Sequence, residues 1–134
     1  MGQAETTEHG RPILIVDDDV DIREALAETL EDRGFEVITA SGGVDALRLL
    51  RTMKGSPSAI LLDLMMPVMD GYGFLAEQGR DPALARIPVA IITAGHGVDH
   101  SRLGDSPPII RKPIKVQQLV DILRQLQSSG GTTT

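Results

Sequence analysis

The chain has no cysteine and no tryptophan, and only 2% of its residues are aromatic. The missing thiols exclude disulfides and thiolate metal sites, and they fit a reducing, cytoplasmic setting. The scarcity of rings means that any core must be mainly aliphatic, and 41% hydrophobic content over 134 residues is enough to build one. No apolar run approaches the roughly 18 residues that a membrane span requires. Met1 to Gly10 has no basic stretch followed by an apolar one, so it does not read as a signal peptide. A net charge of -6 argues against direct nucleic-acid binding, which draws on a surface rich in Lys and Arg.

What is present is a set of four short aliphatic runs, each leading to a polar residue. Ile13-Leu14-Ile15-Val16 leads to Asp17 and Asp18, Ala59-Ile60-Leu61-Leu62 to Asp63, Val89-Ala90-Ile91-Ile92 to Thr93, and Ile109-Ile110 through Arg111 to Lys112. Contiguous apolar runs separated by helical patterns predict strands of a parallel sheet buried on both faces. A more polar second strand is expected at Phe35–Thr39, after Gly34 ends the first helix. Helical spacing marks Ile22, Leu26 and Leu30, then Val44, Leu47 and Leu50, then about Tyr72 to Gln78, and last Val116, Leu119, Val120 and Leu123. Residues 94–108 hold three glycines and two prolines and predict at most a short, poorly packed helix. His96 and His100 within that segment read as solvated loop residues rather than a metal pair. The expected organisation is a polar tail over 1–10, one domain over 11–127 and a flexible end over 128–134.

Five strands alternating with helices imply a flavodoxin-like α/β sandwich with strand order 2-1-3-4-5. Ligands of such sheets bind beyond the carboxyl ends of the strands. That edge gathers Asp17, Asp18, Asp63, Thr93 and Lys112. Converging carboxylates repel one another, and a hard divalent ion such as Mg²⁺ relieves the repulsion. Asp63 is the best-placed nucleophile, since a carboxylate attacking phosphorus gives an acyl phosphate. Thr93 and Lys112 would then meet the phosphoryl oxygens. Asp19 reads as the cap of the first helix.

In this order the residues resemble a receiver domain of two-component response regulators. The matching stretches are Ile13 to Asp19, Leu62 to Gly71 with its Asp-x-x-Met-Pro-x-x-Asp-Gly pattern, Ile92-Thr93-Ala94 and Lys112-Pro113. The resemblance implies Asp63 as phosphoacceptor, and Mg²⁺ held by Asp18, Asp63 and the Met65 carbonyl, with Asp17 acting through water. It implies Thr93 and Lys112 as phosphate contacts and a cis Lys112-Pro113 peptide. The expected donor is a phosphohistidine on a sensor histidine kinase or phosphotransfer protein, and the expected output is altered binding of a downstream protein. Such a chain catalyses only its own phosphorylation and dephosphorylation. Nothing after residue 127 is long enough for an output domain, so a free-standing module is expected. Where the family has an aromatic ring three residues before the lysine, this chain has Ile109, so signalling needs another route. Two alternatives stand beside this reading. One is a degenerate receiver that binds partners without phosphorylation. The other is a haloacid dehalogenase-type phosphatase using Asp17 as nucleophile and Asp19 as acid/base.

Overall fold

A computed structural model describes residues 11–95, 97–104 and 107–131, the last three without their side chains. Its elements run β1 (Ile13–Val16), α1 (Val20–Asp32), β2 (Val37–Ala40), α2 (Gly43–Thr52), β3 (Ala59–Asp63), α3 (Gly71–Arg80), β4 (Val89–Thr93), a 3-10 turn (His100–Arg102), β5 (Ile109–Arg111) and α4 (Val116–Gly131). All neighbouring strands are parallel and the sheet order is β2-β1-β3-β4-β5, as the alternation predicts.

Alternation along each strand splits the core into two layers. Leu14, Val16, Ile60, Leu62 and Ile91 face one way and pack with Ala46, Leu47 and Leu50 of α2 and Phe74 of α3. Ile13, Ile15, Leu61, Ile92 and Ile110 face the other way, against Leu26 and Leu30 of α1 and Leu119, Val120 and Leu123 of α4. The unbroken aliphatic runs are therefore what a sheet covered on both sides demands.

The structure departs from the sequence reading at element boundaries and in the packing of one connection. The second strand starts at Val37 rather than Phe35, because the end of α1 uses the intervening backbone. Gly34 N–H donates to the Glu31 carbonyl and Phe35 N–H to the Leu30 carbonyl, both at 3.0 Å, the bond pair that closes a helix C-terminus. Helix α3 starts at Gly71, since the Asp70 carboxylate accepts from Gly73 N–H at 2.9 Å and caps it. Among its described residues the connection between β4 and β5 holds a single 3-10 turn, as short as expected, but that turn is well packed. Leu103 is buried, the Arg102 guanidinium lies 4.3 Å above the Tyr72 ring, and Asp99 N–H donates to the Tyr72 hydroxyl at 2.7 Å. Finally, α4 continues to Gly131, past the expected domain end at residue 127. Residues 1–10 and 132–134 of the expected tails, and His96, lie outside the described residues.

Val68 is the one non-glycine residue with a positive φ among the described residues, at 68°, and its side chain is 99% exposed. A β-branched side chain is strained in that region, and here it buries nothing to offset the strain. Val68→Gly is expected to stabilise the fold by about 1 kcal/mol, less the entropy that glycine adds to the unfolded chain. A urea titration would register this as a higher midpoint at unchanged slope, and an unchanged midpoint would refute it.

Candidate functional site

β1 and β3 are neighbours, with Val16 opposite Leu62, so the residues that follow them meet at one edge of the sheet. Asp17 is 1% exposed and Asp63 6% exposed, whereas Asp18 stands in solvent. One oxygen from each of the three carboxylates lies within 4.8 Å of the others. Asp17 Oδ1 accepts from Asp19 N–H at 2.9 Å, and the Asp17 carbonyl accepts from the Arg23 guanidinium at 2.8 Å. Asp17 Oδ2 is buried with no hydrogen-bond partner. Such an atom carries a desolvation penalty unless something positive or donating meets it. Asp63 Oδ1 accepts from Met65 N–H at 3.2 Å.

The charges respond to this crowding. Burial pushes the Asp63 carboxyl up to about 6, and repulsion from Asp17 adds to the rise, while the Met65 N–H and the Lys112 charge oppose it. Asp17 is also raised, chiefly by burial, against the Asp19 N–H and Lys112. Asp19 does what the sequence predicts, with Oδ1 accepting from Asp21 N–H at 2.9 Å and Ile22 N–H at 3.2 Å at the start of α1.

Thr93 ends β4, 2% exposed, with its Oγ1 accepting from Gly95 N–H at 3.2 Å. Lys112 follows β5, donates its N–H to the Thr93 carbonyl at 2.9 Å and precedes a cis peptide bond to Pro113. It acts on the carboxylates through its charge, with no ion pair to them among the described residues. The Met65 side chain is exposed beside the cluster, and Ile109 is half-buried against the α2/α3 layer. Asp17, Asp18, Asp63, Thr93 and Lys112 thus all follow or end strands at the same edge of the sheet.

Two residues have a part that the sequence reading missed. Gly71 is needed where α3 turns under β3, because a Cβ there would sit 2.8 Å from Leu64 Cα and 3.1 Å from the Asp63 carbonyl oxygen. Its signal in the sequence is its place as the last residue of the Asp-x-x-Met-Pro-x-x-Asp-Gly pattern. Arg23 braces the backbone of Asp17, and nothing in a single sequence distinguishes it from the other arginines of the chain.

The donor set suits a hard cation. It consists of carboxylate oxygens, two of them buried, and one of these has an oxygen without a partner.

A family model described as "Response regulator receiver domain" matches residues 13–124. Among curated relatives, the probable transcriptional regulator ycf27 of Porphyra purpurea is 44% identical over 82 residues, 61% of this chain and 32% of the relative. The transcriptional regulatory protein PrrA of Mycobacterium tuberculosis is 34% identical over 125 residues, 90% of this chain and 52% of the relative. The chain thus spans a third to a half of the length of these relatives. Among solved structures, the signal receiver domain of a signal transduction histidine kinase from Syntrophus aciditrophicus aligns with a TM-score of 0.81 at 31% identity, covering 92% of this chain and 95% of that one. The chemotaxis protein CheY4 of Vibrio cholerae aligns with a TM-score of 0.77 at 27% identity, covering 87% and 98%.

Proposed function

This chain belongs to the receiver-domain family of two-component response regulators, and from that premise we propose that Asp63 takes a phosphoryl group from a phosphohistidine. The observation that carries the proposal is the convergence of Asp17, Asp18 and Asp63, with Asp63 ending a buried strand at the open edge of the sheet. In the transfer, an Asp63 oxygen forms a bond to phosphorus as the bond from phosphorus to the imidazole nitrogen breaks. The imidazole leaves with that electron pair and takes a proton, and Asp63 becomes an acyl phosphate. Thr93 donates its hydroxyl hydrogen to one phosphoryl oxygen and the Lys112 ammonium faces another, both preset by the backbone at the strand ends.

Mg²⁺ would be held by Asp18, Asp63 and the Met65 carbonyl, with Asp17 through water, and when bound it offsets the negative charge of carboxylates and phosphoryl oxygens together. The chain turns over no separate substrate in this reading. Its phosphodonor is a sensor histidine kinase or a phosphotransfer protein, and its output is altered binding of a downstream protein, in the cytoplasm, without direct contact to nucleic acid. Among the described residues no helix is long and apolar enough to cross a membrane. With Ile109 in place of a ring, the output does not depend on an aromatic side chain changing its orientation there.

The phosphatase alternative is set aside, since the chain's family is a different one and the Asp19 carboxylate is committed to capping α1. Incubation with Mg²⁺ and phosphoramidate, followed by intact mass, tests the proposal. One added phosphoryl group is expected, retained in Asp19→Asn and absent in Asp63→Asn. A parent chain that takes no label would instead support a degenerate receiver.

A further inference from the structure

The Thr93 hydroxyl is held by a chain of bonds that ends on a side chain outside the acidic cluster. Gly95 N–H donates to Thr93 Oγ1, and the Arg111 guanidinium donates to the Gly95 carbonyl oxygen. Thr93 and Arg111 are register partners on β4 and β5, so their side chains share a face of the sheet. The Arg111 side chain lies along Gly95, where a built Cβ would meet Nη1 at 3.1 Å and Cδ at 3.7 Å. Gly95 has a φ of 108°, a conformation that side chains rarely adopt, so this close approach depends on glycine.

A hydroxyl offers one donor and two acceptor positions. Gly95 N–H occupies an acceptor position of Thr93, which leaves the hydroxyl hydrogen for an oxygen beyond the strand end. We propose that Arg111 is a positioning residue for phosphoryl transfer, holding Gly95 by its carbonyl oxygen so that the N–H of the same residue orients the Thr93 hydroxyl toward the phosphoryl group. This rests on the roles proposed above for Asp63 and Thr93. Ile109, two residues earlier on the same face of β5, has no side-chain polar atom to offer. Arg111 is exposed and its guanidinium is engaged on the loop, so removing it leaves the core intact.

The test is a double-mutant cycle on the rate of Asp63 labelling by phosphoramidate at saturating Mg²⁺. Arg111→Ala is expected to slow labelling about threefold, the low end for residues coupled in one hydrogen-bond network, with the half-saturating Mg²⁺ concentration unchanged. In a Thr93→Ala background the same substitution is expected to change nothing further, and Arg111→Lys to recover part of the rate. Amide exchange provides a second measurement that needs no phosphorylation. Arg111→Ala should speed exchange at Gly95 while leaving the Lys112 amide, bonded to the Thr93 carbonyl, as it was. A labelled parent with multiplicative effects in the cycle, or unchanged Gly95 exchange, overturns the role of Arg111 alone. A parent that takes no label overturns the Asp63 reading and this proposal with it.

Discussion

At pH 7.5 in a chelator, the Asp63→Asn variant unfolds at a higher temperature than the parent chain. The reason is the carboxyl raised from an ordinary 3.8 to about 6 by burial and by Asp17. A raised acid holds its proton more tightly in the folded state than in the unfolded one. The native state therefore binds more protons than the unfolded state between about 3.8 and about 6, and stability falls as pH rises through that window. Above it the cost is fully present, on the order of 3 kcal/mol at the stated shift. Asparagine has nearly the same shape, still accepts from Met65 N–H and carries no charge, so it removes the cost. Neutralising position 63 also takes one repelling neighbour from Asp17. The expected gain is up to about 3 kcal/mol, several degrees in Tm, together with a flatter dependence of stability on pH between 4 and 7. Thermal unfolding of both chains across that range checks it. A variant that melts with or below the parent at pH 7.5 would mean that Asp63 is not destabilised by its surroundings.

That cost lies in a region which the sequence makes legible. β1 is aliphatic throughout, and β3 and β4 up to their last residues, because both faces of the sheet are covered, and that leaves Asp17, Asp63 and Thr93 to mark the carboxyl end of each strand. Asp19 declares itself as a cap because its acceptor role needs only residues two and three positions later. What escaped the reading depends on partners distant in sequence or on backbone geometry. The β4–β5 connection looks loose by composition, but Tyr72, 27 positions before Asp99, supplies both the hydroxyl and the ring that hold it. Gly71 looks like no more than the end of a motif until the Leu64 backbone is placed against it. Arg111 looks like a charge before the lysine until β5 brings it beside Thr93 and Gly95. The start of β2 shifts because the closing bonds of α1 take the backbone that a strand would use.

Adding Mg²⁺ closes most of the gap between the two chains. In the parent, the ion meets three carboxylates that already repel one another and a buried Asp17 oxygen with no other partner. Binding to the folded state alone stabilises it by RT ln(1 + [L]/Kd), about 2.7 kcal/mol at a hundredfold excess over Kd. Asp63→Asn and Asp17→Asn each remove one negative charge from the set, so each is expected to lose most of that gain. The two differ without the ion, where Asp17→Asn relieves the repulsion felt by Asp63 and lowers the pH at which Asp63 titrates. Protons compete with the ion for the same oxygens, so the gain in the parent shrinks as pH falls through about 6. Thermal unfolding with and without Mg²⁺ at pH 7.5 and pH 5 measures all of this in one series. A parent whose Tm does not respond to millimolar Mg²⁺ at pH 7.5, or responds no more than Asp17→Asn does, would mean that the three carboxylates do not form a cation site.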